Sequence, residues 1–168
     1  KILLSAKNSQ ESRSLTENIL PEDHNTNAVS LLRFVQLQRY ALDKKTTNTL
    51  EFPRYPIETL IDGETDCEDT TALFIAMASS LGYNVGYIRY TTHTTALIKQ
   101  TDLPNPVIEK VSGSDNAIWE FNNEKYVVVE TTKQYPIGET LKSKNQFLWA
   151  YTNELHVNGE KTIKNTSE

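Results

Sequence analysis

A chain of 168 residues with 38% hydrophobic content can bury one core without a metal or disulfide staple, and its single cysteine excludes an internal disulfide. A net charge of −5, with no basic run longer than Lys44-Lys45, argues against nucleic acid or an anionic membrane surface as the partner. No apolar run approaches the roughly 18 residues of a membrane span, and three histidines without Cys pairs or a His-x-x-x-His spacing give no reason to expect zinc or any other cofactor.

The amino end, Lys1-Ile2-Leu3-Leu4, is too short for a signal h-region, and a chain that starts at Lys1 reads as a fragment or processed product of a longer protein. An extracellular or cell-surface setting suits such a fragment, although the residues fix no compartment. Residues 1–27 are polar and read as an arm or partial helix, with a short apolar signal at Leu15, Ile19 and Leu20. From Ala28 to Leu42 the positions Ala28, Leu31, Leu32, Val35 and Leu42 keep helical spacing, and Asn25 to Asn27 offer a cap. Asp43 to Leu50 reads as a polar loop. Phe52-Pro53-Arg54-Tyr55-Pro56 reads as extended, because each residue before a proline is pushed out of the α region.

The most informative stretch is Asp66-Cys67-Glu68-Asp69, followed by an apolar run that Gly82 stops. The spacing predicts a helix over 67–81, buried nearly all round, with Asp66 as N-cap accepting from the Asp69 amide. Cys67 then takes the first helical position, where unpaired N–H groups favour thiolate, the nucleophilic form. Four strands are predicted after Gly82: 85–90, 94–98, 117–121 and 125–130, with Asn122-Asn123 turning the last two into a hairpin. The loop 99–116 is long, carries Pro104, Pro106 and Gly113, and is placed to rim a cleft. The chain is polar again from Gly138, interrupted by Phe147, Leu148, Trp149 and Tyr151, and residues 159–168 read as a tail.

A cysteine nucleophile needs a base, normally histidine, and a third group to hold the imidazole tautomer. His24 lies in a polar segment and His156 near the trailing end, which leaves His93, at the junction of two predicted strands, as the base. Glu130 closes the strand Tyr126-Val127-Val128-Val129 and can accept from the ring if that strand lies beside the His93 strand. The oxyanion would be held by the Cys67 backbone N–H and a second donor, for which Gln36, Gln38 and Tyr55 are candidates. Asp66, Glu68 and Asp69 read as local structure rather than catalytic groups.

The segments Arg54-Tyr55-Pro56-Ile57-Glu58-Thr59-Leu60, Asp66-Cys67-Glu68-Asp69, Leu81-Gly82-Tyr83, His93, Glu130-Thr131-Thr132 and Ile137-Gly138-Glu139 together resemble the transglutaminase-like superfamily, nearest its papain-like branch in archaea and bacteria. The resemblance covers about residues 28–141. It implies Cys67 as nucleophile, His93 as general base and Glu130 as orienting acid, within an α+β fold whose cysteine begins a central helix packed on an antiparallel sheet. Thr65 and Thr92 stand where the family usually has glycine, side chains that narrow the approach to the thiol.

The expected organisation is an arm over 1–27, a transglutaminase-like catalytic domain over 28–158 and a tail over 159–168. The expected chemistry is hydrolysis of a peptide or isopeptide bond through a thioester, with a peptide or protein as the partner. Hydrolysis is favoured over amine capture because no calcium-loop pattern is present and because the polar loop after His93 offers no dry amine tunnel. A cross-linking transglutaminase, a silent transglutaminase-like domain that binds peptides, and a redox-sensing cysteine are the other readings.

Overall fold

Helical spacing does produce a first helix, α1, His24–Gln36, in the computed structural model, which describes residues 24–49, 52–105, 107–108, 117–140, 147–152, 156–158 and 164–165. Most of the expected arm, residues 109–116 of the long loop and most of the tail lie outside these described residues. The chain divides into two compact units: Lys1–Gly82 with Thr131–Gln134, and Tyr83–Glu130 with Tyr135–Glu168. The α-helices at His24–Gln36, Asp43–Thr46, Pro56–Asp62 and Cys67–Ser80 lie in the first and an antiparallel sheet in the second, so the chain is α+β. In the second unit the expected loop after Lys99 opens with a 3-10 turn at Gln100–Asp102.

In the helical unit, α1 buries Ala28, Leu31, Leu32 and Val35 and then stops six residues before the expected Leu42. The reason is local: the Leu37 and Gln38 amides turn back three residues to the Phe34 and Val35 carbonyls, and Leu37 is 73% exposed. No apolar face remains to carry the helix further. The freed segment forms β1, Arg39–Tyr40, paired in parallel with β2, Glu64–Thr65. Between them, the expected polar loop contains a short helix α2, Asp43–Thr46, and the proline segment stays extended only to Tyr55. Pro56 then opens α3, Pro56–Asp62, where a missing N–H costs nothing and φ is already set for a helix. Glu58 reaches back to accept from the Tyr55 amide at 2.8 Å, half of a capping box.

The helix α4, Cys67–Ser80, is buried from Asp69 through Ala78, in keeping with its nearly unbroken apolar sequence, and packs against α1 and α3. It ends one residue before the expected Leu81, where Gly82 takes a left-handed φ of 88° that a residue with a Cβ resists. The segment Thr131–Gln134 returns to this unit through Thr131, whose hydroxyl lies 2.9 Å from that of Thr70 and 3.4 Å from that of Thr71.

The sheet unit contains β3 Val85–Tyr90, β4 Thr94–Lys99, β5 Ile118–Phe121, β6 Glu124–Val129, β7 Phe147–Thr152, β8 His156–Asn158 and β9 Lys164–Asn165. Among the described residues the spatial order is β8-β7-β3-β4-β6-β5-β9, every pair antiparallel. The central strands β3, β4 and β6 are buried along most of their length, whereas β5 alternates, as a strand with one solvated face must. Ile88, Leu97, Trp119, Phe121, Tyr126, Val128 and Ala150 form one hydrophobic cluster. Asn122 and Asn123 sit at φ 50° and 64°, the two positive values of the tight turn that joins β5 to β6.

At Gly86 the backbones of β3 and β7 approach too closely for a side chain: a Cβ would lie 2.2 Å from the Tyr151 carbonyl oxygen and 2.9 Å from Thr152 Cα. Gly86→Ala therefore forces the paired strands β3 and β7 apart. Chemical denaturation should show a loss of about 1–3 kcal/mol or more.

Candidate active site

Arg54 organises the ground on which the cysteine stands. Its side chain is only 2% exposed, and its Nη1 donates to Asp43 Oδ1 and to Asp69 Oδ2, each at 2.7 Å, while Nε donates to Asp62 Oδ2 at 3.0 Å. The Arg54 amide adds a 2.8 Å bond to Asp69 Oδ1, and the Phe52 amide donates to Asp43 Oδ2. Burial works against the Arg54 charge, but the three carboxylates more than offset it and raise its pKa above the ordinary value. One cation thus ties α2, α3 and α4 to the extended segment before Pro56.

Asp66 lies buried beside this network and close to Glu68. Asp66 holds the N-cap position of α4 with extended backbone, φ −111° and ψ −162°, but its side chain makes no capping hydrogen bond, contrary to the expectation from sequence. Burial, then the charges of Glu68, Asp69 and Asp43, push its pKa up to about 8, with the nearby Asp69 amide pulling weakly the other way. Its Oδ1 is buried with no hydrogen-bond partner. Asp69 is also raised: its burial outweighs the bonds from Arg54. The Asp66 carbonyl accepts the first helical bond from the Thr70 amide at 3.2 Å and a second bond from the Thr70 hydroxyl at 2.9 Å.

Cys67 is the first residue of α4, as the spacing predicts, and is 6% exposed. Its Sγ donates to Glu68 Oε2 at 2.7 Å. This was not anticipated: the helix N-terminus favours thiolate, whereas an adjacent carboxylate favours the thiol that can donate to it. The hydroxyls behind Cys67 form a buried chain. Thr70 Oγ1 is within hydrogen-bond distance of the Asp66 and Cys67 carbonyls and of the Thr131 hydroxyl, which is also within reach of Thr71.

In the sheet unit, His93 and Glu130 meet although 37 residues separate them, with Nε2 and Oε2 2.8 Å apart. Glu130 is fully buried and His93 is 9% exposed. The Tyr90 amide donates to the His93 carbonyl at 2.8 Å, closing the tight turn that carries the ring into β4, and Arg89 Nη1 fixes the next residue through Thr94 Oγ1 at 2.6 Å. With Nε2–H donating to the carboxylate, Nδ1 is left as the basic atom of the neutral ring. Burial and then the Glu130 charge push the Tyr90 phenol up to about 12, so it stays protonated beside the pair.

Of the other residues singled out, Gln36 ends α1, Gln38 spends its amide on the Phe34 carbonyl at 3.4 Å, and Tyr55 is the exposed N-cap of α3. His24 opens α1 and His156 opens β8. Thr65 is fully buried, with an Oγ1 that has no hydrogen-bond partner, whereas Thr92 is exposed. Among the described residues no cluster of three or more His, Cys, Asp or Glu could hold a metal, and no helix is long and apolar enough to cross a membrane. Set against known proteins, the chain matches no family model and no curated sequence.

Arg54→Met should cost about 3–5 kcal/mol, because it leaves Asp43 and Asp69 buried without their cation, while Asp62→Ala, at the half-exposed end of the network, should cost under about 1 kcal/mol. Urea denaturation of both variants checks the contrast. Because Asp66 binds its proton more tightly in the folded state than at its ordinary value of 3.8, it contributes a fall in stability as pH rises from about 4 to about 8. Asp66→Asn, which cannot ionise, should flatten that part of the stability curve, as measured by thermal unfolding across the pH range.

Proposed function

We propose that the protein is a cysteine-dependent amide hydrolase of transglutaminase-like fold, in which Cys67 is the nucleophile, His93 the general base and Glu130 the acid that orients it. The observation that carries this reading is the buried His93 Nε2–Glu130 Oε2 pair at 2.8 Å. A solvated carboxylate or a turn histidine has no need of that arrangement. It fixes the ring tautomer with a free basic Nδ1 and stabilises the imidazolium once a proton has been taken up. The position of Cys67 at the start of a long buried helix supplies the second element, a thiol exposed to unpaired backbone N–H groups. The finer architecture, with that helix packed on the antiparallel sheet, belongs to the same proposal.

The chemistry requires Nδ1 of His93 to take the Cys67 proton as sulfur bonds to the amide carbonyl carbon. The resulting oxyanion is held by the Cys67 backbone N–H and a second donor. Collapse breaks the C–N bond, and the imidazolium gives its proton to the departing amine. Water, deprotonated by the same ring, then cleaves the thioester to the free acid and restores the thiol. The substrate class is a peptide or isopeptide bond.

A second reading, a silent domain that binds peptides, draws on one specific contact. Glu68 accepts from the Cys67 thiol at 2.7 Å and so stabilises its unreactive form. The two readings part on activity. Against a peptide library, Cys67→Ala should abolish cleavage and His93→Ala should lower it by about 10²–10⁴-fold. Glu130→Gln should cost less, since the amide still orients the ring. The pH at which iodoacetamide alkylation of Cys67 reaches half its plateau rate should move upward in His93→Ala; an unchanged profile would separate the thiol from the base and favour the binding domain. Adding a labelled primary amine to a glutamine-containing peptide tests resolution of the thioester: free acid should dominate over incorporated amine.

A further inference from the structure

The His93–Glu130 pair depends on where a strand ends. Residue pairing between β4 and β6 runs from Lys99↔Tyr126 to Ala96↔Val129 and stops there. Glu130 is the first residue beyond the ladder, and ladder hydrogen bonds no longer dictate its position. At the last ladder position a side chain adds its own bond: the Thr95 hydroxyl donates to the Val129 carbonyl oxygen at 2.9 Å. Thr95 and Val129 are both fully buried, so no water competes for the bond. Thr95 stands two residues after His93, and Val129 one residue before Glu130. The hydroxyl bond and the imidazole–carboxylate bond therefore span the same two chain segments side by side, one holding the backbone and the other the reacting groups.

We propose that Thr95 is a positioning residue for the acid–base pair: its hydroxyl fixes the end of β6 so that the Glu130 carboxylate meets Nε2 of His93. The role rests on the function proposed above for His93 and Glu130, but the geometry it explains does not involve Cys67. Valine has the shape of threonine without the donor, and serine keeps the donor without the methyl. The two substitutions therefore separate positioning from packing. In Thr95→Val the Val129 carbonyl loses the hydroxyl bond that adds to its pairing with Ala96, the chain at Glu130 gains freedom, and the bond to His93 is made only part of the time. A displacement of that kind lowers kcat more than it raises KM, because substrate binding is untouched while the base is held less well.

The test reads the pair directly, without a substrate. In the full chain the Nε2–H proton of His93, hydrogen-bonded to a buried carboxylate and shielded from water, gives a resolved downfield proton resonance, assigned by its loss in His93→Ala. In Thr95→Val that resonance should be lost to exchange with water, and in Thr95→Ser it should persist. On a cleaved peptide, Thr95→Val should lower kcat by about 10- to 100-fold with KM within about twofold, and Thr95→Ser should restore it. Thr95→Ala carries the same expectation should the valine variant fail to fold. Retention of the resonance in both Thr95→Val and Thr95→Ala, or its loss in Thr95→Ser, would overturn the proposal. Its absence from the wild-type chain would overturn the pair and the proposal together. Activity that survived His93→Ala would defeat the proposed function while leaving the resonance test of Thr95 intact.

Discussion

A guanidinium buried among three carboxylates is the constraint on which the helical unit depends. Arg54 cannot be desolvated alone, and Asp43 and Asp69, at least as deeply buried, cannot be desolvated without it. The geometry that satisfies all of them brings together a short helix, an extended proline segment and the first turn of the long helix, α4. A network of this kind adds little net stability over a well-packed apolar core, yet leaves few alternative arrangements, because any other would strand a charge. Beside it, burial, reinforced by the charges of Glu68, Asp69 and Asp43, raises the pKa of the Asp66 carboxyl, whose side chain makes no capping bond.

The same anionic setting bears on the thiol. A cysteine at a helix N-terminus is drawn toward thiolate by the backbone and away from it by Glu68, which accepts its proton, so the local field does not by itself decide reactivity. In the proposed mechanism the balance is tipped by a base. The imidazole is suited to that role because its other nitrogen is committed to a buried carboxylate. The threonines complete the arrangement. Their hydroxyls add to backbone bonding near element ends: Thr95 at the last paired residue of a ladder, Thr70 in the first turn of a helix, and Thr131 where the chain leaves Glu130.

How much of this was legible in the sequence differs by scale. Strand β3 runs over the residues expected, the hairpin turns at the expected asparagines, and the long helix begins at Cys67, because each is fixed by a local rule: alternation or apolar runs, positive φ, and a helix start followed by a run free of Gly and Pro. The first helix was legible in its middle but at neither end: it starts at His24, four residues before the expected Ala28, and apolar spacing continues to Leu42 while the chain there turns into a two-residue parallel pairing. The short helices at Asp43 and Pro56 were missed for the same reason. Four to seven residues carry too little periodicity to separate a helix from a loop, although proline in the first turn was a usable signal.

The sequence by itself determined the residue types and their local frames: one cysteine at a helix start, one histidine at a strand start, one glutamate at a strand end, and an α+β order of elements. Only the tertiary structure decided which polar groups meet. Arg54 finds partners 8, 11 and 15 residues away, and His93 finds Glu130 across 37 residues. Spacing along the chain encodes none of these pairings. Local rules act over one or two turns of backbone, whereas a buried charge is satisfied by whichever group the packing of the whole unit brings within hydrogen-bond reach.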